Sequence, residues 1–80
     1  SYMPTVKGLT CEYRFLFYSF EWNGPIHVHV QKDNKICEFW LEPVALNKNF
    51  GFSPKDLNKI RKLIQINWNH IMESWYEHCS

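Results

Sequence analysis

The sequence predicts an α+β domain in which an antiparallel meander of three to four strands packs against one long C-terminal helix. Two observations carry this prediction. In the first half of the chain, short runs alternate between apolar and polar residues and are separated by turn residues, which is typical of half-buried strands. In the second half, apolar residues recur at three- and four-residue steps, which is typical of an amphipathic helix. Consecutive strands with short connections favour an antiparallel sheet.

Four segments of the first half favour strands. They are Cys11–Phe20, Pro25–Val30, Ile36–Glu42 and Val44–Leu46. The residues between the second and third segments, 32–35, form a polar four-residue hairpin loop in this interpretation. Pro43 has no N–H group and is expected to end the third strand or to lie on an edge of the sheet. Residues 47–49 are expected to form a loop that leads to the helix.

The helix has a strong predicted start. Ser53 can act as the N-cap, Pro54 suits the first helical position, and Asp56 places a negative charge in the first turn. The apolar stripe that follows consists of Leu57, Ile60, Ile64, Trp68, Ile71 and Trp75. No proline or glycine interrupts it, so we expect one helix of about 24 residues and about 36 Å. Asn67 lies at the edge of the stripe and is expected to bond a strand or loop backbone.

Length and composition place limits on the class of protein. Eighty residues make one small domain, expected over residues 3–80, with Met3 as the native start and residues 1–2 left over from cloning. A chain of this size buries only about 60 % of its unfolded surface, and the 18 % aromatic content provides much of the core. The net charge of +1 gives no strong long-range attraction for nucleic acid or an acidic membrane.

The cysteines and the hydropathy pattern predict a soluble cytoplasmic protein. The three cysteines are odd in number and lack a CxxC spacing, which favours buried thiols in a reducing compartment. No stretch approaches about 18 consecutive apolar residues, so no membrane span is expected.

The most informative residues are His27 and His29. Side chains two apart on a strand point to the same face, which places the two imidazoles roughly 6–7 Å apart. Ile26, Val28 and Val30 take the other face, toward the helix. The histidines are therefore expected outside the main core, on an open sheet face or in a shallow groove.

Three interpretations of the histidine pair remain open. The rings can be ordinary surface residues, two ligands of a metal ion, or an acid–base or phosphate-contacting pair. A metal site needs a third ligand, which the sequence does not fix, and so we predict neither a metal nor another cofactor. The candidates for that ligand are His70, Glu73, His78 and Glu38. Arg14 and nearby lysines are candidate anion contacts.

Several motifs together resemble a known family of small bacterial proteins, domain-of-unknown-function family 4160, which is marked by a proline-preceded His-x-His. They are Met3-Pro4-Thr5-Val6, the aromatic strand, Gly24-Pro25-Ile26-His27-Val28-His29-Val30, Phe39-Trp40-Leu41-Glu42-Pro43-Val44, Gly51-Phe52, and a helix with Asn67 and Trp75. Members often have Pro-Pro before the histidines, where this chain has Gly24-Pro25. Such proteins often resemble the toxin half of a two-gene toxin–antitoxin module.

The resemblance implies a bacterial protein with a small antitoxin-like partner, and with His27 and His29 as the active residues. We therefore expect a toxin-like protein of a type II module that acts on RNA or translation, with RNA as a second partner and Arg14 as a substrate contact. The alternatives are a non-catalytic protein-interaction module and a small metal-binding protein. Whether the protein is an enzyme, and in what oligomeric state it works, stays open.

Overall fold

The computed structural model describes residues 5–6, 8–10, 12–17 and 24–79, and these parts of the chain form five strands and two helices. The strands are β1 Thr5–Val6, β2 Arg14–Leu16, β3 His27–Lys32, β4 Lys35–Leu41 and β5 Val44–Phe50. The helices are α1 Pro54–Ile66 and α2 Trp68–Cys79. The α+β class is confirmed.

The strands form one antiparallel sheet in the order β1-β2-β3-β4-β5, so every strand pairs with its neighbour in sequence. The antiparallel meander is confirmed, but the predicted count of three to four strands is too low. One additional strand is β1, whose two residues are too few to give an alternating pattern. Of the aromatic segment, residues 14–16 form β2, while residues 11 and 18–20 lie outside the described part of the chain.

The strand β5 is longer than predicted, because residues 47–49 belong to it and do not form a loop. Asn and Lys have low intrinsic preference for strands, and pairing with β4 overrides that preference. The pairing is interrupted by a bulge. Glu38 pairs with Lys48 whereas Phe39 pairs with Leu46, so Asn47 is the extra residue on the β5 side.

The hairpin between β3 and β4 is tighter than predicted. Lys32 and Lys35 pair with each other, which leaves only Asp33 and Asn34 in the turn. Asp33 has a φ of 56°, in the left-handed region. Asp tolerates this conformation, and two-residue hairpin turns require it. The register of β3 against β4 is set from this turn.

One face of the sheet packs against the helices. Val28 and Phe39 from the central strands are fully buried, as are Ile60, Ile64 and Ile71 from the helices. The predicted division of β3 into an apolar face and a histidine face is confirmed, and so is the apolar stripe of the helical segment. Burial of such side chains contributes roughly 1.5–3 kcal/mol each.

The helical segment consists of two helices, so the prediction of a single helix of about 24 residues is wrong. The start is as predicted, since the backbone N–H of Asp56 donates to the Ser53 hydroxyl at 3.1 Å. The break lies at Asn67, which has φ −103° and ψ 20°. Its amide side chain donates to the carbonyl of Leu63 at 2.9 Å, not to a strand or loop as expected. The backbone N–H of Asn67 keeps its helical bond to the same carbonyl at 3.0 Å, so the side chain adds a second donor there and the break is local to Asn67.

Each helix is tied to the rest of the fold by a polar contact. The Trp68 indole N–H donates to the carbonyl of Leu41 at 2.7 Å, which fixes the start of α2 to the end of β4. At α1, Lys59 Nζ lies 2.5 Å from a carboxylate oxygen of Glu12 in the segment before β2. Lys59 is exposed to solvent, and its charge pairs with a carboxylate of the same fold. Neither helix in the described residues is long and apolar enough to cross a membrane.

The Ile64→Ala variant tests the helix–sheet core. Ile64 is fully buried, so we expect a loss of about 2–5 kcal/mol in the free energy of unfolding. Ile66 is on the same helix but 79 % exposed, and Ile66→Ala is expected to change stability by less than about 0.5 kcal/mol. Urea denaturation of both variants measures the difference. Equal losses would contradict the described packing of α1.

Cys37 is buried in the same core, and its burial raises the pKa of the thiol to about 12. In a Cys11→Ser/Cys79→Ser background, we expect a disulfide reagent at pH 8 to label Cys37 on the order of 10³-fold more slowly than in urea, because so little thiolate forms. Since the folded pKa exceeds the unfolded value of about 8.5, the free energy of unfolding should also fall as the pH rises from about 8.5 toward 12. Rapid labelling of the folded protein would contradict this.

Candidate functional site

The register of β3 and β4 brings three polar side chains together on the sheet face opposite Val28 and Phe39. His29 pairs directly with Glu38, and His27 pairs with Trp40, the next residue of β4 on that face. Directly paired residues share a face, and diagonal neighbours lie within side-chain reach. His27, His29 and Glu38 therefore form one cluster, which we call the His–His–Glu cluster.

Both imidazoles of the His–His–Glu cluster approach the same carboxylate oxygen. Nε2 of His29 lies 3.1 Å from Oε1 of Glu38, and Nε2 of His27 lies 3.5 Å from it. The two ring centroids are 5.4 Å apart. The side-by-side arrangement expected from the strand pattern is confirmed, and the carboxylate lies where both rings can use it.

The His–His–Glu cluster is buried. The exposed fractions are 6 % for each histidine and 5 % for Glu38. The histidines lie on the face opposite the main core, as expected, but the expectation that this face is open or forms a shallow groove is wrong. Alternation along a strand shows which side chains share a face, but it does not show whether that face is covered. Buried polar groups are found where they can partner one another, as these three do.

Neighbouring groups hold the cluster in a fixed orientation. Nδ1 of His27 lies 2.8 Å from the carbonyl oxygen of Pro25. A carbonyl can only accept, so Nδ1 carries the proton and Nε2 points to Glu38. On the other side, the side-chain amide of Asn47 donates to Oε2 of Glu38. The β5 bulge sets Asn47 and Lys48 opposite Glu38, and bulges re-aim side chains in this way.

Apolar and aromatic side chains surround the cluster. Leu16 pairs with His29 across the sheet and is 1 % exposed. The ring centroid of His27 lies 5.8 Å from that of Trp40 and 6.2 Å from that of Trp75 on α2. Electrostatic interactions within the cluster are strong because water is largely excluded.

Arg14 lies near the cluster but is not part of it. It pairs with Gln31, two residues after His29 on the same strand and face. Arg14 is exposed and lines an open cleft of about 660 Å³. The other side chains at this cleft include Glu12, Tyr13, Gln31 and Lys32. The predicted anion contact is thus on the histidine face but in a separate, solvent-accessible depression.

Of the four candidates for a third ligand, the structure brings Glu38 to the histidines. His70 and Glu73 are exposed on α2. His78 lies 3.6 Å from the carboxylate of its neighbour Glu77. Sequence reasoning missed Asn47, which it placed in a loop. The only sequence signal for its role is a polar residue near the middle of the last strand, and that signal is weak.

The cluster can hold a positive charge. The ligand atoms of the three side chains all lie within 4.8 Å of one another. A buried carboxylate between two imidazoles can stabilise a proton on either ring, and the same atoms can ligate a metal ion. Acid–base chemistry and metal binding are therefore the two uses that this geometry allows.

These features define a small α+β protein with a buried His–His–Glu centre on an antiparallel meander. The profile of one family, "Domain of unknown function (DUF4160)", matches residues 13–76, and the chain belongs to this family. The matched segment contains all three side chains of the cluster. Comparison with curated proteins and with solved structures gives no significant match.

The bond to Pro25 predicts the tautomer of His27. In the neutral ring, the proton should reside on Nδ1, because the carbonyl of Pro25 accepts from it. Long-range ¹H–¹⁵N correlation spectra of the imidazoles, recorded above neutral pH, measure this directly. The ring of His70 on the exposed side of α2 provides the comparison. A His27 ring protonated on Nε2 would contradict the described contact.

Proposed function

We propose that this protein is the toxin-like half of a type II toxin–antitoxin module and acts in the cytoplasm on RNA or the translation machinery through His27 and His29. The observation that carries the proposal is the convergence of both Nε2 atoms on Glu38, at 3.5 and 3.1 Å. The resemblance described above adds support, since family members often resemble such toxins.

The chemistry that suits this site is proton transfer during cleavage or transfer of a phosphodiester. One imidazole accepts the proton of the attacking hydroxyl, and the other, in its protonated form, donates to the leaving oxygen. Glu38 stabilises whichever ring is protonated. The bond from Nδ1 of His27 to the carbonyl of Pro25 leaves Nε2, the nitrogen that faces Glu38, as the atom of that ring that exchanges a proton.

Burial restricts what can react at this site. With 6 % of each histidine exposed, a flat duplex surface does not reach the rings. A single-stranded segment can project a phosphate or hydroxyl inward, and single strands are also the usual targets of sequence-dependent RNA recognition.

Arg14 is the proposed substrate contact in the open cleft next to Gln31, on the same sheet face as the rings. Its exposed guanidinium in the open cleft suits bidentate contact with a phosphate. Because the net charge is only +1, affinity depends on such local contacts and not on long-range attraction.

The proposed partner is a small antitoxin-like protein. The described surface includes three strongly exposed hydrophobic side chains, namely Phe50 at 63 %, Ile66 at 79 % and Tyr76 at 56 %. Phe50 belongs to the edge strand β5, which can accept a partner strand. These positions also favour the second candidate, a non-catalytic interaction module that binds its partner without using the histidines.

Induced expression in a bacterial host tests the proposed function. We expect the wild-type chain to arrest growth and the His27→Gln/His29→Gln variant to allow growth, because it removes both proton-transfer groups. Arg14→Ala should weaken the arrest while the fold is retained. Growth rate and bulk RNA integrity after induction are the measurements.

The matched control is His70→Ala/His78→Ala, which removes two histidines from α2 and should still arrest growth. Circular dichroism of each purified variant checks that it folds. Normal growth with the wild type and all variants would overturn the toxin-like function. If the histidine variant then bound the protein encoded by a neighbouring gene as tightly as the wild type does, the interaction module would be favoured.

A further inference from the structure

We propose that His27, His29 and Glu38 bind one divalent transition-metal ion, for which Zn²⁺ is the best chemical match. The inference goes beyond the function proposed above and does not depend on it; an ion bound to both rings would replace their role in proton transfer. Three observations support the inference: the distances between the ligand atoms, the orientation of the His27 ring, and the hydrogen bonds that Pro25 and Asn47 make with the cluster.

Two of the three distances between the ligand atoms match the edges of a zinc coordination polyhedron, and the third is no longer than 4.8 Å. Zn–N and Zn–O bonds are about 2.0–2.2 Å, so two ligand atoms in a tetrahedral site lie about 3.3–3.5 Å apart. Oε1 of Glu38 lies 3.5 Å from Nε2 of His27 and 3.1 Å from Nε2 of His29. The ligand atoms of the three side chains thus need shifts of only a few tenths of an ångström along these two edges.

The orientation of His27 is the one that a metal ligand requires. Its Nδ1 donates to the carbonyl of Pro25 at 2.8 Å, so a neutral ring presents the lone pair of Nε2 to the carboxylate. Two lone pairs that face each other repel unless a proton or a metal ion lies between them. Metal-bound histidines commonly donate their second ring N–H to a backbone carbonyl or a carboxylate, as His27 does.

The carboxylate of Glu38, like the ring of His27, is oriented by a hydrogen bond with a neighbouring group. Asn47 donates to Oε2 of Glu38, which leaves Oε1 as the atom that faces both rings. Such outer contacts orient metal ligands and tune their affinity. The burial of all three side chains, with at most 6 % exposure, removes competition from water for the ligand atoms.

The donor set selects the class of ion. Two imidazole nitrogens and one carboxylate oxygen suit Zn²⁺ and its neighbours in the transition series, whereas Mg²⁺ and Ca²⁺ prefer oxygen ligands throughout. Three protein ligands leave a fourth position for water. This composition is characteristic of catalytic zinc sites, while structural sites use four protein ligands.

Titration of chelator-treated protein with Zn²⁺ in a calorimeter tests the proposal, together with the visible spectrum of the Co²⁺ adduct. We expect one ion per chain and a tetrahedral Co²⁺ spectrum without a thiolate charge-transfer band. His29→Gln and Glu38→Gln should each weaken binding by at least about 100-fold, since the loss of an outer contact alone weakens it 10–100-fold. Asn47→Ala keeps all three ligands and should fall within that 10–100-fold range.

His70→Ala/His78→Ala is the matched control, because it removes the two helix histidines and should bind Zn²⁺ as the wild type does. Circular dichroism in the absence of metal confirms folding of each variant, and Asn47→Ala serves as the test if a ligand variant does not fold. The proposal is overturned if the folded wild type shows no saturable binding of one ion, or if Glu38→Gln and Asn47→Ala both bind unchanged. The metal titration measures binding by purified protein, and the growth assay measures arrest in cells. Each proposal can therefore fail in its own experiment without changing the outcome of the other.

Discussion

The fold depends on how the buried carboxylate of Glu38 is compensated. An unpaired carboxylate in a water-poor site is strongly destabilising, yet Glu38 is 5 % exposed. Both oxygens are engaged, Oε1 with the two imidazoles and Oε2 with Asn47. His27 is in turn fixed by the carbonyl of Pro25. The groups that stabilise this carboxylate therefore lie on β3, β4, β5 and the turn before β3. One polar centre thus constrains the position of each of these elements.

The same constraint fixes the register of the sheet. A shift of one residue between β3 and β4 would exchange the faces of every side chain of the strand that shifted. Either Val28 or Phe39, depending on which strand shifted, would leave the apolar core, and the His–His–Glu cluster would lose its geometry at the same time. The two faces thus specify one register for different reasons, one by burial of apolar surface and the other by pairing of polar groups. The short turn at Asp33 and Asn34 gives that register directly, since Lys32 already pairs with Lys35.

The periodicity of apolar residues predicted most of the strands and the helical stripe. The features that it did not predict depend on hydrogen bonds and pairing of particular residues. The helix start at Ser53 and the apolar stripe through Ile64 and Trp75 follow from local rules that act within a few residues. The break at Asn67 accompanies a side-chain bond back to Leu63, and the apolar pattern, which continues across Asn67, does not reveal it. The placement of Asn47 depends on a bulge in β5, which only pairing with β4 determines. For the site, the histidine pair was predictable from a two-residue spacing, whereas its burial and the choice of Glu38 required the whole sheet.

Acid–base catalysis and metal binding place different demands on the same atoms. Proton transfer needs at least one Nε2 that can both gain and release a proton, so a bound ion on both rings would remove that role and replace it with a metal-bound water as the reactive group. The neighbours of the cluster separate the binding of a cation from the recognition of a substrate. Asn47 acts on Glu38 from within the sheet and affects any cation held there, whether a proton or a metal ion. Arg14 lies in the open cleft and affects only a ligand that extends beyond the cluster. An effect of Arg14 on activity would therefore report on substrate recognition, whichever cation is bound. The geometry of the donor atoms around Glu38 determines whether that cation is a proton or a metal ion.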